Sequence, residues 1–127
     1  MQSFISKTFQ INKSQDISYE IFKDEIIIIN LKSGKYFQIE NSGVEIFKNI
    51  KNNLTIEENI RSFIPLNNKN KLEIIKFIKV LKKNHIILDT ATIKEKKITL
   101  KKYKYKKAKI SIYNDMKKIL HVEAFCN

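Results

Sequence analysis

The chain has 127 residues, enough for one domain with a modest core, and a composition that is neither disordered nor fibrous. Its formal charge is +12, and the excess is uneven: residues 1–90 hold 14 cationic and 10 acidic residues, whereas residues 91–127 hold 11 and 3. All the cations but Arg61 are lysines, and because surfaces accept lysine freely, total charge says less than its concentration in the last third of the chain. The single cysteine, Cys126, excludes an internal disulfide framework, and with His85 and His121 it offers no credible metal-ligand spacing. Met1 to Gln10 lacks the basic and apolar regions of a signal peptide, and no apolar run approaches the roughly 20 residues needed to cross a bilayer, so a cytoplasmic location is expected.

In chain order, Ile17, Tyr19 and Ile21 alternate with polar residues, and an isoleucine block from Ile26 to Ile29 follows. Both read as strands, the second buried on both faces. Lys23-Asp24 makes the turn between them, and Ser33-Gly34 makes the next, with Gly34 free to adopt positive φ. Tyr36 to Glu40 completes a three-stranded antiparallel meander.

From Ser42 the period becomes helical. Val44, Ile46, Phe47 and Ile50 share a face, and Ser42 with Glu45 three residues on has the form of a capping box. Thr55 and Glu58 repeat that form ahead of a second helix carrying Ile56, Ile60, Phe63 and Ile64, stopped by Pro65. After a polar loop over 67–70, Leu72, Ile74, Ile75, Phe77, Ile78 and Leu81 define a third helix reaching about His85. The expected fold is α+β, a three-stranded sheet followed by three helices in a winged helix-turn-helix-like outline over residues 1–90, with a basic extension over 91–127. Ala91 to Lys109 is lysine-dense and reads as either a linker or an added strand.

No catalytic constellation emerges. The hydroxyl residues have no pairable base beyond His85 and His121, there is no glycine-rich phosphate loop, and the carboxylates stand singly at helix starts and strand ends. The expectation is a protein that is not an enzyme and needs no cofactor.

Gly34, Tyr36-Phe37, Asn41, Gly43, Ile46-Phe47 and Ile86-Ile87-Leu88 occur in an order that resembles the PqqD-like peptide-recognition domains, over roughly residues 15–90. The resemblance implies a module that holds the leader of a precursor peptide while a separate enzyme modifies it, in the biosynthesis of a ribosomally synthesised, post-translationally modified peptide. In that family the leader adds as a strand to the third strand and rests on the third helix, with backbone hydrogen bonds supplying affinity and side-chain pockets selectivity. Carried onto this chain, the edge is Lys35, Tyr36, Phe37, Gln38 and Ile39, and the helix face is the row Leu72, Lys76, Lys79 and Lys83. For Tyr36, Phe37 and Ile39 the plain alternative is core packing, since alternate side chains of a strand face opposite sides. For the lysines it is a solvated face.

The tail carries a second resemblance. Tyr105, Ala108, Ile110, Asn114, Asp115 and Met116 are spaced like the leader motif of lasso-peptide precursors, with Ala108 in place of proline, Asn114 in place of glycine and Leu120 where threonine is expected. Three readings are open: the tail covers the sheet edge, it is a tethered ligand of its own or a partner's groove, or it is a leader whose short substrate offers Cys126 and Asn127 for modification. Strand or tail exchange would give a homodimer. The rival class is nucleic-acid binding by a winged helix. The lysines and Tyr103, Tyr105 and Tyr113 suit phosphates and bases, but the third helix offers little to read base edges beyond Asn68 and Asn70. The tail lacks the contiguous amphipathic face of a membrane-surface segment.

Overall fold

The structure is a computed structural model that describes residues 6–90 and 101–114. Its elements in chain order are β1 (Phe9–Ile11), β2 (Ile17–Ile21), β3 (Glu25–Asn30), β4 (Lys35–Glu40), α1 (Ser42–Lys51), α2 (Ile56–Arg61), β5 (Phe63–Ile64), α3 (Asn68–Lys83), β6 (Ile87–Asp89), β7 (Tyr103–Lys104) and β8 (Lys109–Tyr113). The class is α+β, with three helices and an antiparallel sheet. That sheet has four strands in the order β2-β3-β4-β8, rather than the three expected, because a piece of the basic extension pairs with the edge of β4. Two further pairs close the molecule: β1 lies antiparallel to β6 and β5 parallel to β7.

The meander follows from its turns. Phe22 N–H donates to the Glu25 carbonyl at 2.8 Å across Lys23-Asp24. In the next turn the Asn30 side chain accepts from Lys32 and Ser33 N–H, and Gly34 takes φ +77°. Only Gly carries that dihedral without cost. Register then places Ile26 opposite Ile39 and Ile28 opposite Phe37, all buried, so one face of the sheet is core. Tyr19 and Ile21 extend this face from β2, and Tyr19 meets Phe47 of α1 edge-on with ring centroids 5.3 Å apart.

The corner between β4 and α1 is the tightest point of the fold. A Cβ built on Gly43 would lie 2.8 Å from Ile39 Cγ2 and 2.8 Å from Phe77 Cζ, so the missing side chain is what lets α1, β4 and α3 converge. The Ser42-Glu45 capping box does not form. Asn41 is the N-cap, at φ 58°, with no side-chain cap bond, and Ser42 is already helical. The Thr55-Glu58 box does form, with both reciprocal bonds present. Helix α2 ends at Arg61, ahead of Pro65, and the residues between include the short strand β5. Helix α3 starts at Asn68, inside the expected loop, because the Asn67 side chain accepts from Asn70 N–H and caps it. Among the described residues no helix is long and apolar enough to cross a membrane.

Candidate peptide-binding groove

Between β4 and α3 lies a groove, and residues 102–113 of the same chain run along it. They are held at three successive places. At the first, Tyr103 and Tyr105 N–H donate to the Ser62 and Ile64 carbonyls at 2.7 and 2.8 Å, and Lys102 Nζ donates to the Arg61 carbonyl at 2.6 Å. Both tyrosine rings pack on Phe63, at centroid distances of 5.8 and 5.6 Å.

At the second, the segment crosses the start of α1. Lys106 N–H donates to Ser42 Oγ at 2.7 Å, Ser42 N–H donates back to the Lys106 carbonyl at 3.2 Å, and Asn41 Nδ2 donates to the Lys107 carbonyl at 3.1 Å. The Ser42 hydroxyl therefore serves a backbone 64 residues away instead of its own helix. At φ 58° and ψ −139° Asn41 turns the chain at this point, in a conformation outside the left-handed helical region that side chains with a Cβ rarely adopt.

At the third, β8 adds to β4 as an antiparallel strand, with Tyr36 opposite Tyr113, Phe37 opposite Ile112, Gln38 opposite Ser111, Ile39 opposite Ile110 and Glu40 opposite Lys109. The expected edge, Lys35 to Ile39, is thus a pairing edge through its backbone. Its side chains divide by strand alternation. Phe37 and Ile39 are fully buried core, while Tyr36 and Gln38 lie on the outer face, where Tyr36 stacks on Tyr113 at 4.7 Å and Gln38 bonds Glu25.

The helix wall is offset from the expected row. A cavity of about 400 Å³ between segment and helix is lined by Glu73, Lys76, Phe77 and Val80 from α3 and by residues 107–110 of the segment. Lys76 is the one member of the expected row that lines it; Leu72, Lys79 and Lys83 are exposed on the solvent side of α3. The reason is rotational. Leu72 is 65% exposed, so the helix turns its neighbour Glu73, with Phe77 and Val80 at i+4 and i+7, towards β4.

Within the docked segment, Tyr103, Tyr105, Ala108 and Ile110 turn onto the core. Three of these are the leader-like positions. The Tyr105 hydroxyl donates to Glu73 Oε1 at 2.9 Å and accepts from Ala108 N–H at 3.2 Å. The Tyr105 phenol is pushed up to about 12, chiefly by burial, with the Ala108 amide working against the rise and the Glu73 carboxylate adding to it through its hydrogen bond and charge. Asn114 is exposed at the end of the described segment, and Asp115, Met116, Cys126 and Asn127 lie outside the described residues.

Charge does not hold the segment in place. Lys107 and Lys109 share the groove with Lys76, and the ion pair from Lys109 to Glu40 is 3.6 Å long with both side chains substantially exposed. Backbone pairing and four inward side chains do the holding. Sequence reasoning did not assign Phe63, Glu73 or Ser42 to this site, and it named Asn41 only among the residues of the PqqD-like resemblance. The one available signal was Asn41-Ser42-Gly43 itself, three small or polar residues where strand meets helix. Among the described residues there is no group of three or more His, Cys, Asp or Glu that could hold a metal ion. The chain matches no family model, no curated protein and no solved structure.

Proposed function

We propose that this chain is a non-catalytic peptide-recognition module that binds a leader peptide by strand addition to β4 and presents it to a separate modifying enzyme, in the biosynthesis of a ribosomally synthesised, post-translationally modified peptide. The observation that carries this reading is the antiparallel register of β8 on β4, five residues long and reinforced by Asn41 and Ser42. A groove that takes one strand through backbone bonds, with side chains entering at alternate positions, has the chemistry of β-augmentation. The three helices and the antiparallel sheet would then serve as a winged-helix-like frame for that edge, as in the PqqD-like domains.

A second reading is favoured by the identity of the strand. The segment in the groove belongs to this chain and turns Tyr105, Ala108 and Ile110 inward. On this reading the chain carries its own leader, and Cys126 and Asn127 are what it offers for modification.

Because the groove seats this sequence in the structure, both readings predict that it binds a free peptide of the same sequence. The test is calorimetry of a synthetic peptide of residues 101–114 with the full chain carrying Ile110→Asp, which takes an inward side chain off the resident strand. Binding in the micromolar range is expected, weakened about tenfold or more when Asn41→Ala and Ser42→Ala are added, since each lost hydrogen bond costs about 1 kcal/mol. Failure of the folded chain to bind, or tight sequence-selective binding of duplex DNA at physiological salt instead, would overturn the proposal.

A further inference from the structure

We infer that residues 102–113 form a displaceable strap, anchored at its β7 end and lifting at its β8 end, so that a peptide supplied in trans reaches β4 only when β8 has left it. The inference rests on the peptide-binding reading above and adds its regulation.

The two ends of the strap are held unequally. At the β7 end three hydrogen bonds of 2.6 to 2.8 Å fasten residues 102–105 to the carbonyls of Arg61, Ser62 and Ile64. Two aromatic rings lie on Phe63, which is 1% exposed, and the Tyr105 hydroxyl is fixed on Glu73. At the β8 end only Ile110 turns onto the core, while Ile112 and Tyr113 are each 41% exposed. The side-chain attachments there are an exposed ion pair and an aromatic stack on the outer face of the sheet. Lys107 and Lys109 line the same cavity as Lys76, with Glu73 the one acidic residue among its lining, so charge adds little to the hold. The β8 end has the longer ladder, five residues paired with β4 against two of β7 with β5, but it is the edge strand of its sheet and has a single inward side chain. Segments with few buried apolar contacts open at the lowest free energy, so residues 109–113 open before residues 102–106.

What opening uncovers is a row of β4 backbone donors and acceptors, which a second strand can satisfy. The resident strand stays tethered through its anchor. At an effective concentration on the order of millimolar, a resident strand whose own affinity is about 10 μM would weaken the apparent binding of any competing peptide roughly a hundredfold. The strap therefore sets how strong a peptide must be to enter.

The test locks and unlocks the strap in one protein. Gln38 and Ser111 lie directly opposite each other on the outer face, so Q38C with S111C, in a C126S background, places a reversible cross-strand disulfide between β4 and β8. The probe is a fluorescent synthetic peptide of residues 103–114. Binding by the reduced chain that falls at least tenfold on oxidation and returns with reductant is the expected result. Equal binding in both states would overturn the strap. If the reduced chain does not bind but I110D does, the strap stands as the competitor. If neither binds, the groove reading itself fails. Hydrogen exchange supplies the second measurement: amides of 109–113 should exchange faster than those of 103–105, and the reverse order would overturn the direction of opening.

Discussion

Helices α1 and α2 begin with the same pattern, a hydroxyl residue followed three positions later by glutamate, yet their first turns are held in different ways. In α2 the hydroxyl of Thr55 and the carboxylate of Glu58 satisfy each other's backbone N–H, a closed local arrangement. In α1 the hydroxyl of Ser42 faces the groove and accepts from Lys106, and the turn is fixed instead by the close packing of Gly43 on Ile39 and Phe77. The difference teaches that a cap signature states what a side chain can do, and the nearest competing backbone decides what it does. It also separates the two hydroxyls: that of Thr55 serves its own helix, and that of Ser42 serves the strand.

The most severe way to break that comparison is Gly43→Ala. The added methyl meets two buried side chains at 2.8 Å, and overpacking of this kind costs about 1–3 kcal/mol. Chemical denaturation should show the loss with an unchanged slope. Ser42→Ala and Thr55→Ala, about 1 kcal/mol each, should part company. Thr55→Ala lowers the denaturation midpoint and leaves exchange of the 106–113 amides relative to the core unchanged. Ser42→Ala raises exchange of those amides with little change at α2. An equal effect of both substitutions on the strand would erase the distinction.

A pH titration sharpens it further. With its folded value raised from 10.0 to about 12, Tyr105 stabilises docking fully below pH 10 and loses that contribution as pH climbs from about 10 to about 12, where the free segment ionises and the docked one does not. Tyrosinate absorbance should show a late-titrating phenol that is lost in Tyr105→Phe. The smallest effect belongs to Lys109→Ala. Its partner Glu40 is 3.6 Å away and both side chains are open to water, so the change in docking should be a few tenths of a kcal/mol at most.

How much of this could be read from the residues depends on how far away each one's partner lies. The meander was legible because its signals are local: alternation in 17–21, an isoleucine block, and turns whose geometry Gly34 and Asn30 satisfy themselves. The second cap was legible for the same reason. Strands β1, β5 and β7 were not, since two or three residues carry no period and their pairing is set by partners about 40 or 80 residues away. For α3 the helix was plain but its rotation was not. Leu72 looked like the head of an apolar row, and only packing reveals that Glu73 begins the face that meets the strand. The tail was legible in part. Tyr105, Ala108 and Ile110 stood out by spacing, and their inward orientation gives that spacing a physical cause, while the role of Ser42 required Lys106 to be placed beside it.

The aromatic inventory makes this protein its own spectroscopic reporter. The chain has five tyrosines and no tryptophan. Three of them, Tyr103, Tyr105 and Tyr113, travel with the docked segment, and Tyr36 is stacked against one of the three, which leaves Tyr19 as the sole bystander. Near-ultraviolet circular dichroism and tyrosine emission, which elsewhere average over a whole molecule, here read out chiefly whether the groove is filled by its own chain.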